Sequence, residues 1–146
     1  MDVETQRLLK RAGWYPGRQV PGLVMKWTEQ LSTDGFAVSR AAKGVLLEFG
    51  GLRIEQAGPG ESAARASFSF DPSGSIGEKT YYADVERALG AALCPIGEVE
   101  DGTGALLIAD DERTIVVLNG AWIIGTSFQD ALDSLVLGRL GIPVSI

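Results

Sequence analysis

Between Pro95 and Gly125 the apolar residues come in four short runs, at 96–100, 105–109, 114–118 and 121–125, with turn formers between them. A packed helix needs about ten residues at a 3.6 period, so runs this short predict strands of an antiparallel meander instead. Asn119-Gly120 marks the sharpest of its hairpins, because both residues tolerate positive φ. Such a sheet needs a cover, and the flanking sequence supplies helices.

Residues 2–12 place Leu8, Leu9 and Ala12 on one side and end at Gly13; Pro16-Gly17 then turns the chain. A second helix is expected over 23–33, with Trp27 and Leu31 one turn apart and Gly35 beyond its end. Ser39 is placed to cap a third, in which Ala42, Val45, Leu46 and Phe49 share a face before Gly50-Gly51 stops it. Residues 52–56 read as a strand, 57–64 as a loop, and 66–70 as a half-buried strand closed by Asp71-Pro72. A fourth helix is expected over 80–92, with Tyr81, Val85, Ala88, Leu89 and Ala92 inside and Tyr82 partly exposed. Ser127-Phe128-Gln129-Asp130 resembles a capping box opening a last helix, with Phe128, Ala131, Leu132, Leu135 and Val136 inward. The expected fold is α+β: a single domain over residues 1–146, with a largely antiparallel sheet packed by N-terminal, central and C-terminal helices.

The chain has no histidine. That removes Ser-His-Asp and Cys-His nucleophile systems, His-based zinc sites and the commonest general base near neutral pH. One cysteine, Cys94, allows no internal disulfide and no paired-cysteine metal clip; flanked by Leu93 and Pro95, it reads as a buried small hydrophobe. No apolar run reaches membrane-span length, and the acidic start, Met1-Asp2-Val3-Glu4, is unlike a secretory signal. A cytoplasmic protein is expected.

The net charge of −6 is unevenly placed. Residues 1–87 hold 11 basic and 11 acidic side chains, whereas residues 88–146 hold 8 acidic and 2 basic, so the whole excess lies in the last 59 positions. Nucleic-acid binding requires the opposite sign. A basic protein is the partner that such a surface attracts.

Three phrases together resemble one family. They are Ala12-Gly13-Trp14-Tyr15-Pro16-Gly17-Arg18 after the first helix, Glu48-Phe49-Gly50-Gly51-Leu52 after the third, and Pro95-Ile96-Gly97-Glu98 after the fourth. In this order they are similar to the SUKH superfamily of bacterial immunity proteins, particularly its third subgroup, over residues 3–138. Pro21-Gly22 departs from the polar residues usual there and leaves the start of the second helix open. The resemblance implies a SUKH-like α+β fold, no catalytic residues and no cofactor. It also implies a function: direct binding and neutralisation of a polymorphic toxin, often a nuclease or deaminase domain. An intracellular scaffold or regulatory module is the alternative. A carboxylate-dependent hydrolase is a third reading, but no spacing selects a catalytic pair.

The candidate partner-binding residues are Glu98, Glu100, Asp101, Asp110, Asp111 and Glu112, six carboxylates in a segment without a basic residue, together with Tyr82. One reading makes the carboxylates a rim that mimics nucleic-acid phosphate before a basic toxin cleft; the other makes them solvated hairpin loops. Glu98-Val99-Glu100-Asp101-Gly102 lacks the ligand spacing of an EF-hand calcium loop. Gly58-Pro59-Gly60-Glu61-Ser62-Ala63 matches a dinucleotide-binding phrase, yet the residues after it read as a strand, whereas that mechanism needs a helix N-terminus there. Trp14, Trp27 and Trp122 are expected in the core rather than as interface anchors. Oligomeric state stays open.

Overall fold

A computed structural model describes all 146 residues. Three helices come first. In α1 (Val3–Ala12), the Asp2 side chain accepts a hydrogen bond from the Glu4 N–H, and Gly13, at φ 113°, returns its own N–H to the Leu9 and Lys10 carbonyls. Glu4 in the first turn and Lys10 and Arg11 in the last complement the helix dipole. α2 (Pro21–Thr33) starts two residues before its expected position because Pro21 occupies the first turn, where a missing N–H costs nothing. α3 (Arg40–Phe49) begins as expected, with Ser39 Oγ accepting from the Ala42 N–H.

Two short strands follow, β1 (Arg53–Ile54) and β2 (Phe68–Ser69), then 3₁₀ turns at Pro72–Ser75 and Thr80–Tyr82. The helix expected over 80–92 is shorter. α4 (Ala83–Leu89) is stopped by Gly90 at φ 65°, which leaves Ala92 exposed outside it; Ala88 is exposed too. The expected burial of its two tyrosines is reversed: Tyr81 is 68% exposed and Tyr82 4%. A 3₁₀ start advances the chain about 120° per residue rather than 100°. That rotation turns Tyr82 inward, where its hydroxyl meets that of Ser75 at 2.9 Å. Burial pushes the Tyr82 hydroxyl above its usual pKa.

The meander forms where the sequence places it: β3 (Leu93–Val99), β4 (Gly104–Ala109), β5 (Thr114–Val117) and β6 (Ala121–Gly125). Asn119 and Gly120 both take positive φ in the β5–β6 turn. α5 (Phe128–Leu137) starts at Ser127, whose Oγ accepts from the Asp130 N–H, and ends at Gly138 at φ 66°. The chain then finishes on an unexpected strand, β7 (Ile142–Pro143), rather than on the helix. All seven strands lie in sequence order in one open antiparallel sheet.

The sheet centre is buried from both sides. Leu106, Leu107, Ile108 and Ala109 are all inaccessible to solvent, as are Leu93 and Ile96 beside them. β2 also fails to alternate: Phe68, Ser69 and Phe70 are all buried. α3 and the 3₁₀ turn after β2 pack on β3 and β4, while α5 packs on β6 and α1 on α5. One continuous core results, with Phe49, Phe70 and Phe128 in mutual contact at 5.3–5.8 Å between ring centres. The protein is therefore a single α+β domain. No helix is long and apolar enough to cross a membrane.

Candidate partner-binding surfaces

The six carboxylates do not form one rim. Glu98, half-buried near the end of β3, and Glu100 and Asp101 in the β3–β4 turn lie at one end of β4, and Asp110, Asp111 and Glu112 in the β4–β5 turn at the other. These turns cap opposite ends of β4, whose six residues span roughly 20 Å at 3.4 Å each. Asp101 pairs with Arg53, and Asp111 with Arg113 at 2.8 Å. Glu112 instead serves a helix end, its Oε1 accepting from the Phe128 N–H at the positive end of α5. Glu98, Glu100 and Asp110 make no ion pair. No three acidic or thiol side chains gather as a metal site. Tyr82, being buried, is removed from the contact candidates, and Tyr81 is the exposed ring.

The phrases that carry the family resemblance converge on structural roles. Trp14 stacks on Phe49 at 6.2 Å and donates its indole N–H to Glu48 Oε2 at 2.8 Å. Arg18 donates to the carbonyls of Glu48 and Gly50, at 2.7 and 2.8 Å, and so satisfies the open C-terminal end of α3. A Cβ at Gly50 would lie 2.7 Å from the Trp27 ring, and one at Gly97 2.0 Å from the Ser69 carbonyl oxygen. These residues join α1, α3, β2 and β3. Of the three tryptophans, Trp27 is fully in the core as expected; Trp14 and Trp122 are half-buried, the latter donating to the Leu118 carbonyl at 3.1 Å.

A concave apolar surface, not anticipated from sequence, lies at the C-terminal edge. The loop at 57–66 folds over the end of α5: the N–H groups of Ser62 and Ala63 both donate to the Gly138 carbonyl, and that of Glu61 to Leu137. Gln56 Nε2 reaches the Leu135 carbonyl at 2.8 Å, and Glu61 pairs with Arg139 at 2.7 Å. The Arg139 guanidinium holds the Glu61 carboxyl below its ordinary range. The supposed dinucleotide phrase is therefore a loop that caps a helix C-terminus, and no helix starts from it. Between this loop, α5 and the strands lies a groove of about 200 Å³, whose apolar lining includes Val116, Leu118, Trp122, Ile124, Leu135 and Leu140.

Cys94 is 1% exposed, and burial pushes its thiol up to about 12. A thiol with that pKa holds almost no thiolate at neutral pH, so it is no nucleophile. Native protein is expected to react with a disulfide reagent at pH 8 only as fast as it unfolds, and denatured protein within the mixing time. Rapid stoichiometric labelling of the native protein would contradict this burial.

An open antiparallel sheet with helices packed around it defines an α+β domain whose exposed features are an acidic turn at either end and an apolar groove. The chain belongs to the SUKH-3 immunity protein family, whose model matches residues 1–138. Comparison with curated proteins and with solved structures gives no match.

Proposed function

We propose that this protein binds a cognate toxin directly and neutralises it without chemistry of its own, in the cytoplasm of the producing cell. The family match over residues 1–138 carries this reading. The sheet continues past that match, because β7 at Ile142–Pro143 pairs with β6. The partner is a basic toxin domain, a nuclease or deaminase being the type whose active cleft is positive, and no cofactor takes part. The unpaired carboxylates Glu98, Glu100 and Asp110 support electrostatic steering, with Asp101, Asp111 and Glu112 beside them.

The two acidic ends are separated by more than the Debye length of about 8 Å at physiological salt, so each acts on a partner separately. This dictates the test. The protein is co-expressed with the toxin domain encoded beside it, and association is followed for two charge reversals, Glu100→Lys/Asp101→Lys and Asp110→Lys/Asp111→Lys. Reversal at the end facing the toxin is expected to slow association about tenfold or more at low salt, and the deficit should shrink as salt rises. Association unchanged by both reversals would end the steering assignment. Absence of rescue and of a complex would end the immunity reading itself.

A further inference from the structure

The groove at the C-terminal edge is too small for an ordinary small-molecule site, which runs from about 300 Å³ upward; at about 200 Å³ it matches a side chain or two. Its walls are already held. Gly138, at φ 66°, lets the 57–66 loop approach so closely that a Cβ there would sit 2.6 Å from the Ala63 carbonyl oxygen. Backbone and side-chain hydrogen bonds from Gln56, Glu61, Ser62 and Ala63 tie that loop to the end of α5, so little ordering is left to be lost on binding. Leu140, which lines the groove, is 66% exposed and leaves its apolar surface open to a partner.

Charge decides what fits it. Two groups at the mouth are already matched, Arg139 with Glu61. Glu100, which lines the same mouth, makes no ion pair; its backbone is held at φ 51° and its N–H is bound by the Ser67 carbonyl. The groove thus presents an apolar floor with one free carboxylate at its rim. A second copy of this chain is a poor occupant, because each copy carries −6 and a two-fold contact brings its own acidic turn to the same place.

We infer that this groove is the anchor point for the partner: it receives one large apolar side chain from a toxin segment that carries a Lys or Arg beside it. The inference rests on the toxin-binding reading and adds where the contact is held and by what chemistry. Glu100 meets the basic residue, and Leu118, Trp122 and Leu135 enclose the apolar one.

The probes are N-acetyl-Phe-Arg-amide and its neutral isostere N-acetyl-Phe-citrulline-amide, titrated into the ¹⁵N-labelled full chain at low salt. Shifts are expected at the Trp122 indole, Leu118 and Leu135. The arginine peptide should bind about fivefold more tightly, the ratio that one charge pair near 4 Å gives in water. Glu100→Gln should erase that ratio and leave the citrulline peptide unaffected. Ala64→Trp, a substitution at an exposed residue of the groove wall, should abolish both sets of shifts. In the toxin complex the same Ala64→Trp should weaken affinity about thirtyfold, the loss of one hot spot. No shifts in the groove, no charge ratio, or a concentration-dependent dimer occupying the groove would each overturn the inference. A complex that survives Ala64→Trp at full affinity also overturns it, while leaving toxin neutralisation standing. A wild-type chain that forms no complex with the toxin sinks both.

Discussion

Gly97→Ala is expected to lower the stability of this protein by about 3 kcal/mol, at the upper end of what overpacking costs. The added Cβ would sit 2.0 Å from the Ser69 carbonyl oxygen, 3.1 Å from its carbon and 3.3 Å from the Phe70 Cα. All three are backbone atoms, so no rotamer change relieves the contact. β2 must move away from β3, and the Phe68–Val99 and Ser69–Glu98 pairing goes with it. For a domain of this size the midpoint of thermal unfolding should fall on the order of 10 °C. Gly44→Ala is the control: Gly44 lies inside α3 with open space around it, and alanine there should stabilise by about 0.5–1 kcal/mol. Circular-dichroism melts of both variants test the pair. A Gly97→Ala midpoint within about 2 °C of the parent would mean that the two strands are not this close.

Phe49→Ala is expected to cost about 3–5 kcal/mol, the range for truncating a buried aromatic ring. The ring of Phe49 touches Trp14 in the first connection, Phe70 beyond β2 and Phe128 at the start of α5, at 6.2, 5.6 and 5.3 Å. Removing it opens a cavity bordered by parts of the chain far apart in sequence, none of which can collapse inward alone. Against a total stability of order 5–15 kcal/mol, such a loss is a large part of the whole. Phe49→Leu retains most of the volume and should cost under about 1.5 kcal/mol. Urea unfolding separates the two: equal midpoints for the alanine and leucine variants would show that the ring does not join these elements.

The same contacts explain why the family phrases were recognisable. Trp14, Arg18, Glu48, Gly50 and Gly97 work within a corner where the side-chain options are few. What such residues report is the fold. They say little about the partner, because none of them lies in the acidic turns or in the groove.

Signals that act within a few residues were legible in the chain itself. Ser39 and Ser127 as caps, Gly13 and Gly50-Gly51 as stops, the Asn119-Gly120 turn and the short apolar runs of the meander set most of the elements and the α+β class. The exceptions are local signals outweighed by packing or by a competing local signal. Gly90 ended α4 against an apolar period that continued past it, and a 3₁₀ start exchanged the places of Tyr81 and Tyr82. β7, two residues long and containing a proline, exists because β6 offers it a free edge.

Tertiary structure alone decided the surfaces. Six carboxylates that are neighbours along the chain are divided between opposite ends of β4, because in an antiparallel meander consecutive turns lie at opposite ends of the strand they share. The groove unites the loop at 57–66, the β3–β4 turn, residues of β3, β5 and β6 and the end of α5, a set that no window of sequence contains. Caps and turns are hydrogen bonds between near neighbours, so their residues announce them. A concave surface is a property of distances between remote segments, and those are set only when the core around Phe49, Phe70 and Phe128 closes.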